Sequence, residues 1–301
     1  MIHPDQVAEM LYPQAAAAAA TSTPGSIPTV VSTPTHYQLS SETGHRTLWV
    51  TFAIMVVSAG VFALLSWNVP VSKRVHHVLT TLIPLAQALA YFAMASAHAS
   101  TLVCHRVRDH DHDTFHDECR QLFWARYVGW ALATPLVLWN LCLLAGVDGA
   151  HTLMALVANL VMVLSGMFAA IGAEHTAQKW GWFVIACLGY VFAVWHVGLH
   201  GNRTAANRGA KVMRLWWSLA VYVLALWAAY AIVWGVATLG RRTTVDTEIL
   251  IYAILDILAG PIFGLWLLIS HRALAETTID LGGYWSQGLA AEGRIRVGDE
   301  D

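Results

Sequence analysis

The 301-residue chain is short of charge: Lys, Arg, Asp and Glu together make up 12% of it, about half of the roughly 25% usual in soluble globular proteins. That shortage, beside 57% hydrophobic residues, excludes an ordinary soluble enzyme. A formal net charge of −2 leaves no basic footprint for nucleic acid, and the apolar content is too high for disorder over most of the chain. Lysine is the scarcest charged residue, with only Lys73, Lys179 and Lys211. No phosphate-cradling glycine loop, HExxH pair or nucleophile elbow is present, so nothing points to an enzyme. Residues 1–45 lack the basic flank and continuous apolar core of a cleaved leader.

What is present is a set of long charge-free stretches. None of Lys, Arg, Asp or Glu falls between Arg46 and Lys73, Arg74 and Arg106, Arg126 and Asp148, Asp148 and Glu174, Lys179 and Arg203, or Arg214 and Arg241. The stretch from Glu248 to Arg272 holds one charge, Asp256. Each is long enough for the about 20 residues that a bilayer-spanning helix needs. The expected architecture is therefore an all-α membrane protein, a seven-transmembrane helical bundle over residues 46–271, with the lipid bilayer as its first partner. Residues 1–45, with an Ala run and a Ser/Thr/Pro-rich stretch, read as a disordered tail, and residues 272–301 as a short polar one. Lys73, Arg74, Arg203, Arg208, Lys211, Arg214 and Arg272 fall on one side of the seven spans. The excess of basic residues there makes that side the cytoplasm, with the N-terminus extracellular and the C-terminus cytoplasmic.

Particular residues carry a family resemblance. The third span reads Arg126-Tyr127-Val128-Gly129-Trp130, followed by Thr134-Pro135. The second has Thr80-Thr81 and Tyr91, and the sixth has Trp227, Tyr230 and Trp234. The seventh has Glu248, Asp256 and Phe263-Gly264, and the tail carries Gly283-Tyr284-Trp285. In order and spacing this resembles the microbial (type I) rhodopsins, and in its ending the fungal opsins, from about residue 46 to the C-terminus. The resemblance implies a bundle around a retinal pocket walled by Tyr91, Trp130, Thr134, Met162, Gly166, Trp182, Trp227, Tyr230 and Trp234. It also implies a homo-oligomer, since bundles of this type commonly form trimers.

The departures from that pattern matter as much. The family ties its retinal to a lysine four residues after the seventh-span aspartate. Here that aspartate matches Asp256, and Gly260 followed by Pro261 stands at the lysine position. Glycine has no amine, so no imine forms there, and the three lysines all fall in loops or at span ends. Gly129 stands at the counterion position, Asn140 at the proton-donor position and Asn159 at the fourth-span carboxylate position. No covalent cofactor is expected, although a non-covalent retinoid or lipid in the pocket is compatible with the residues. The resemblance then implies an opsin-related, non-pumping regulatory or stress-linked protein of the plasma membrane, with a membrane-protein partner such as a proton-pumping ATPase. The alternatives are a retinal-dependent photoreceptor or light-driven ion transporter, and a carrier or sensor of an apolar ligand.

A buried carboxylate needs company, because a charge at the bilayer centre costs about 2.5–3.5 kcal/mol on insertion scales. The expected partner of Asp256 is Arg126, with Tyr91 and Tyr230 donating hydrogen bonds. Asp246 and Glu248 read as surface residues. Pro261 is expected to kink the seventh span. Residues 104–119 hold His105, His110, His112 and His116 among aspartates and are bracketed by Cys104 and Cys119. A solvated loop, a zinc or copper site and a disulfide-closed hairpin all fit that stretch. His196 and His200, four apart on the fifth span, read as snorkelling toward the interface, as do His76 and His77 on the second.

Overall fold

A computed structural model describes residues 35–70, 74–109, 114–173 and 176–272. The tails, and His110, Asp111, His112 and Asp113 of the extramembrane loop, lie outside the described residues. Among the described residues, seven helices are long and apolar enough to cross a membrane: α1 (Glu42–Ser66), α2 (Val75–Ala95), α3 (Trp124–Ala145), α4 (Gly149–Ile171), α5 (Ala177–Asn207), α6 (Ala210–Leu239) and α7 (Val245–Arg272). Three short strands join them: β1 (Thr35–Gln38), β2 (Thr101–Asp109) and β3 (Thr114–Leu122). The protein is an integral membrane protein with the expected seven-helix fold.

The helix starts follow from side-chain chemistry. Four spans open on an oxygen that accepts from the first backbone N–H groups: Ser41 before α1, Asp148 before α4, Thr176 before α5 and Thr244 before α7. At the end of α3, Gly146 turns left-handed at φ 77°, and Arg208 donates to the last carbonyls, those of Leu143 and Leu144, at 3.0 and 3.1 Å. Apolar side chains stay exposed all around the bundle, among them Leu64, Leu89, Leu188 and Ile232. In water such a surface would be a liability, whereas in lipid it is the solvent-matched face.

The region before α1 is more ordered than the sequence suggests. The expected tail of residues 1–45 gives way at residue 35 to β1, which pairs in parallel with β3. β2 and β3 form an antiparallel hairpin in which Cys104 stands opposite Cys119. The two are disulfide-bonded, with Cα atoms 4.0 Å apart, so the hairpin reading holds. Arg120 and Gln121 of β3 hold the hairpin to the rest of the chain: Gln121 accepts from Ser40 N–H at 2.9 Å, and Arg120 donates to Gln38 at 2.8 Å.

The last span is not a uniform helix. From Leu258 to Ile262 it opens into a π turn around Gly260 and Pro261. Proline has no N–H for the i−4 carbonyl, and a wider turn accommodates that loss. Tyr222 of α6 donates to the Leu258 carbonyl there at 3.0 Å. Similar π turns occur at His196–His200 in α5 and Trp234–Leu239 in α6.

Candidate functional site

A cavity of about 500 Å³ lies inside the bundle, with walls from α2 to α7. α3 contributes Trp130 and Thr134, α4 Met162 and Gly166, α6 Trp227, Tyr230 and Trp234, and α7 Gly260. These eight of the expected pocket residues therefore converge on one space. α5 supplies Phe183, Cys187 and Tyr190. Rings pack edge-on and stacked around the space: Trp130 against Tyr230 at 5.3 Å, and Phe183 parallel to Trp234 at 5.8 Å. The lining also includes Val191 and Ile232, both exposed on the outer surface of α5 and α6. The cavity thus opens sideways between those two helices toward the lipid.

Two expected wall residues are placed elsewhere. Trp182 points outward, 38% exposed and packed on Phe168, and the inward position belongs to its neighbour Phe183. One helical position is a rotation of about 100°, so an alignment off by one residue selects the wrong ring. Tyr91 is fully buried but lies outside the cavity lining, with its hydroxyl spent on Asp256.

Gly260 and Gly129, the positions that the resemblance assigns to the lysine and the counterion, differ in what surrounds them. At Gly260 an added Cβ would meet only Ile83, at an ordinary 3.5 Å. The space is open, and a larger side chain would enter the cavity. At Gly129 an added Cβ would lie 2.7 Å from Ala90 Cβ and 2.8 Å from Gln87 Oε1. Here α2 and α3 pack too closely for a side chain, as small residues permit between membrane helices. Gln87 is the amide facing the cavity, and its Oε1 is buried without a hydrogen-bond partner.

Asp256 is almost fully buried and accepts three hydrogen bonds: from Tyr91 Oη at 2.6 Å, Trp130 Nε1 at 2.9 Å and Tyr230 Oη at 2.5 Å. The two tyrosines are those expected. The expected partner Arg126 is not among the donors. Its guanidinium donates to Glu248 at 2.6 Å, and Arg120 from β3 takes the other Glu248 oxygen at 2.8 Å. The reason is depth. Arg126 and Glu248 both sit in the first turn of their helices, whereas Asp256 lies eight residues further along α7, about 12 Å along the axis. Glu248, expected at the surface, is 4% exposed. Glu248 thus bridges two arginines in one buried network, with Arg126 also stacked 4.4 Å over the Tyr252 ring. Arg120 was not legible as a member, because it comes from a strand outside the spans. Asp246 is partly exposed and accepts from Ser41 N–H at 2.8 Å.

The other substituted positions are also paired. Asn140 Oδ1 lies 2.8 Å from His76 Nδ1, and Asn159 Oδ1 accepts from Thr134 at 2.7 Å. His76 is fully buried rather than snorkelling, with its ring 4.6 Å from that of His271. In the hairpin, His105 lies 2.6 Å from an Arg241 nitrogen and 3.7 Å from Glu118, and His116 lies 3.5 Å from Glu118. Among the described residues, no lysine lines the cavity. Lys179 is buried in the first turn of α5, and Lys211 is exposed at the start of α6.

Comparison with known proteins agrees with this architecture. Opsin-1 of Neurospora crassa is 62% identical to the chain over the full length of both. The crystal structure of the light-driven proton pump LR (Mac) from Leptosphaeria maculans superposes with a TM-score of 0.77 at 48% identity, covering 79% of this chain and 99% of that one. The light-driven proton pump CsR of Coccomyxa subellipsoidea superposes with a TM-score of 0.70 at 33% identity, covering 78% of this chain and 100% of that one. Residues 43–274 match the model of the bacteriorhodopsin-like protein family. With that match spanning most of the sequence, the chain belongs to the bacteriorhodopsin-like family, the microbial rhodopsins.

Proposed function

We propose that this opsin takes up retinal, or an apolar polyene of similar length, in the cavity between α3, α4, α5, α6 and α7, and holds it without a covalent bond. The observation that carries the reading is the pairing of an open aromatic cavity with Gly260 at its wall and, among the described residues, no lysine in its lining. The volume of about 500 Å³ falls within the range of about 300–1,000 Å³ typical of small-molecule sites. The apolar lining and the lateral opening suit a ligand that partitions from the bilayer. A lysine-bound retinal does not fit these residues, because among the described residues the cavity wall carries no amine to bond it. The buried bonds of Glu248 to Arg120 and Arg126 instead hold α7, the hairpin and α3 in register.

A second reading is light-driven ion transport. The similarity to two light-driven proton pumps supports it, as does the retention of Asp256 with its tyrosine and tryptophan donors. Both ligand-binding readings are better supported than a purely regulatory role, for which nothing in the site speaks. In either case we place the protein in the plasma membrane with its N-terminus outside, on the distribution of Lys and Arg.

The deciding experiment adds all-trans retinal to the purified native protein, to Gly260→Lys and to Gly129→Asp/Gly260→Lys. The expected native result is one bound retinal, slow labelling of Cys187 at the cavity wall, and no visible band that survives acid denaturation. A visible band should appear once Gly260 is Lys. A denaturation-resistant visible band in the native protein would overturn the non-covalent reading, and light-driven pH changes in vesicles carrying that pigment would establish the second. No binding and no protection of Cys187 would refute both.

A further inference from the structure

Away from the cavity, three histidines from two helices meet at the end of the bundle where α3 hands over to α4 and α5 to α6. His151 lies in the first turn of α4, and His196 and His200 bound the π turn of α5. The latter two do not snorkel as their spacing suggests. His151 and His200 rings stack at 3.7 Å, His196 and His200 rings at 5.5 Å, and His151 Nδ1 lies 3.1 Å from His196 Nδ1. One nitrogen from each residue falls in a set whose members all lie within 4.8 Å of one another. Among the described residues this is the one cluster of at least three potential ligands for a metal ion.

We propose that His151, His196 and His200 form a binding site for a divalent transition ion of the zinc class. Imidazole is a preferred ligand of such ions, and three histidines with an open fourth position for water make a common zinc arrangement. Tetrahedral coordination at about 2.0–2.1 Å brings ligand nitrogens to about 3.3 Å from one another; the pair at 3.1 Å is already near that separation, and the His200 ring would rotate out of its stack to turn its in-plane lone pair on the same ion.

Two further features point the same way. His200 Nδ1 is buried without a hydrogen-bond partner, which is costly for an imidazole unless something binds there. The far nitrogen of His151, Nε2, faces the Asp148 carboxylate at 4.0 Å. A carboxylate hydrogen-bonded behind a metal-bound histidine fixes its tautomer and raises its basicity; Asp148 stands just outside that reach and would close on Nε2 when an ion binds. Asp148 is itself held in place, since its other oxygen caps α4 by accepting from Ala150 and His151 N–H at 3.0 and 3.1 Å. The π turn matters because it alters the angular offset between His196 and His200, and such turns concentrate at functional sites. An ion here would clamp the ends of α4 and α5, the two helices that supply Met162, Gly166, Cys187 and Tyr190 to the cavity.

The test uses the full-length protein in nanodiscs, purified without an oligohistidine tag, stripped with chelator and titrated with Zn²⁺ against a chromophoric competitor. One tight site is expected in the native protein. His196→Ala/His200→Ala should abolish it, and Asp148→Asn should weaken it by about 10-fold or more. A hairpin variant, His105→Gln/His110→Gln/His112→Gln/His116→Gln, should keep it. Unchanged zinc affinity in the double variant, or loss of tight binding in the hairpin variant, overturns the proposal. Should the double variant fail to fold, zinc-edge X-ray absorption of the native protein decides: imidazole shells at about 2.0 Å support the site, and oxygen-only coordination overturns it.

Discussion

Replacing Glu248 by Gln removes the one negative charge shared by two buried arginines. Arg120 keeps its bonds to Gln38 and the Thr243 carbonyl, at 2.8 and 2.7 Å. Arg126 loses its counter-charge while 2% exposed, and its Nε is already without a partner. Breaking a buried pair from one side costs about 3–5 kcal/mol, and Glu248→Gln should fall in that range. Arg126→Gln leaves Glu248 its bond to Arg120 and loses one charged hydrogen bond, about 1.5–3 kcal/mol. The double variant Arg126→Gln/Glu248→Gln should recover part of the Glu248→Gln loss. Denaturant titration in mixed micelles, followed by circular dichroism, supplies the free energies for a double-mutant cycle. Coupling of at least about 1.5 kcal/mol is expected between Arg126 and Glu248. The same cycle on Arg126 and Asp256→Asn should be additive within about 0.5 kcal/mol. Strong Arg126–Asp256 coupling with none to Glu248 would refute the assignment.

Gly129→Leu should destabilise by about 1–3 kcal/mol through overpacking against Ala90, whereas Gly260→Ala should be close to neutral; equal losses in the same titration would contradict the packing described. Retinal affinity should fall at least several-fold in Phe183→Ala and stay within about twofold in Trp182→Ala, because only the former ring lines the cavity; fluorescence quenching titrations give both values, and the reverse order would place the wall wrongly. Thiol counting by mass spectrometry should find one readily labelled cysteine in the folded protein, Cys187, and a second, Cys142, only after unfolding. Cys104→Ser/Cys119→Ser should lower stability by up to about 3 kcal/mol, the chain-entropy value for a loop of 15 residues; unchanged stability would mean that the hairpin is ordered without the bond.

The amino-acid sequence alone determined that this is a seven-span membrane bundle, because charge-free stretches of helical length are a one-dimensional signal that bilayer solvation enforces. It also determined the absence of an amine at position 260, since chemistry that a residue lacks is lost in any fold. Most of the cavity wall was legible through the family resemblance, whose positions carry over wherever the helix register is kept. Trp182 was misread where a single residue of rotation decides the face. The partner of Arg126 was decided only in three dimensions, by the depth of Glu248 on α7 and by Arg120, which arrives from a strand that no span pattern contains. The same holds for the contrast between Gly129, where the helices pack closely, and Gly260, where space remains. The meeting of His151 with His196 and His200 likewise joins residues 45 or more apart in the chain. Pairings between helices depend on packing, and packing leaves little trace in the order of residues along any one of them.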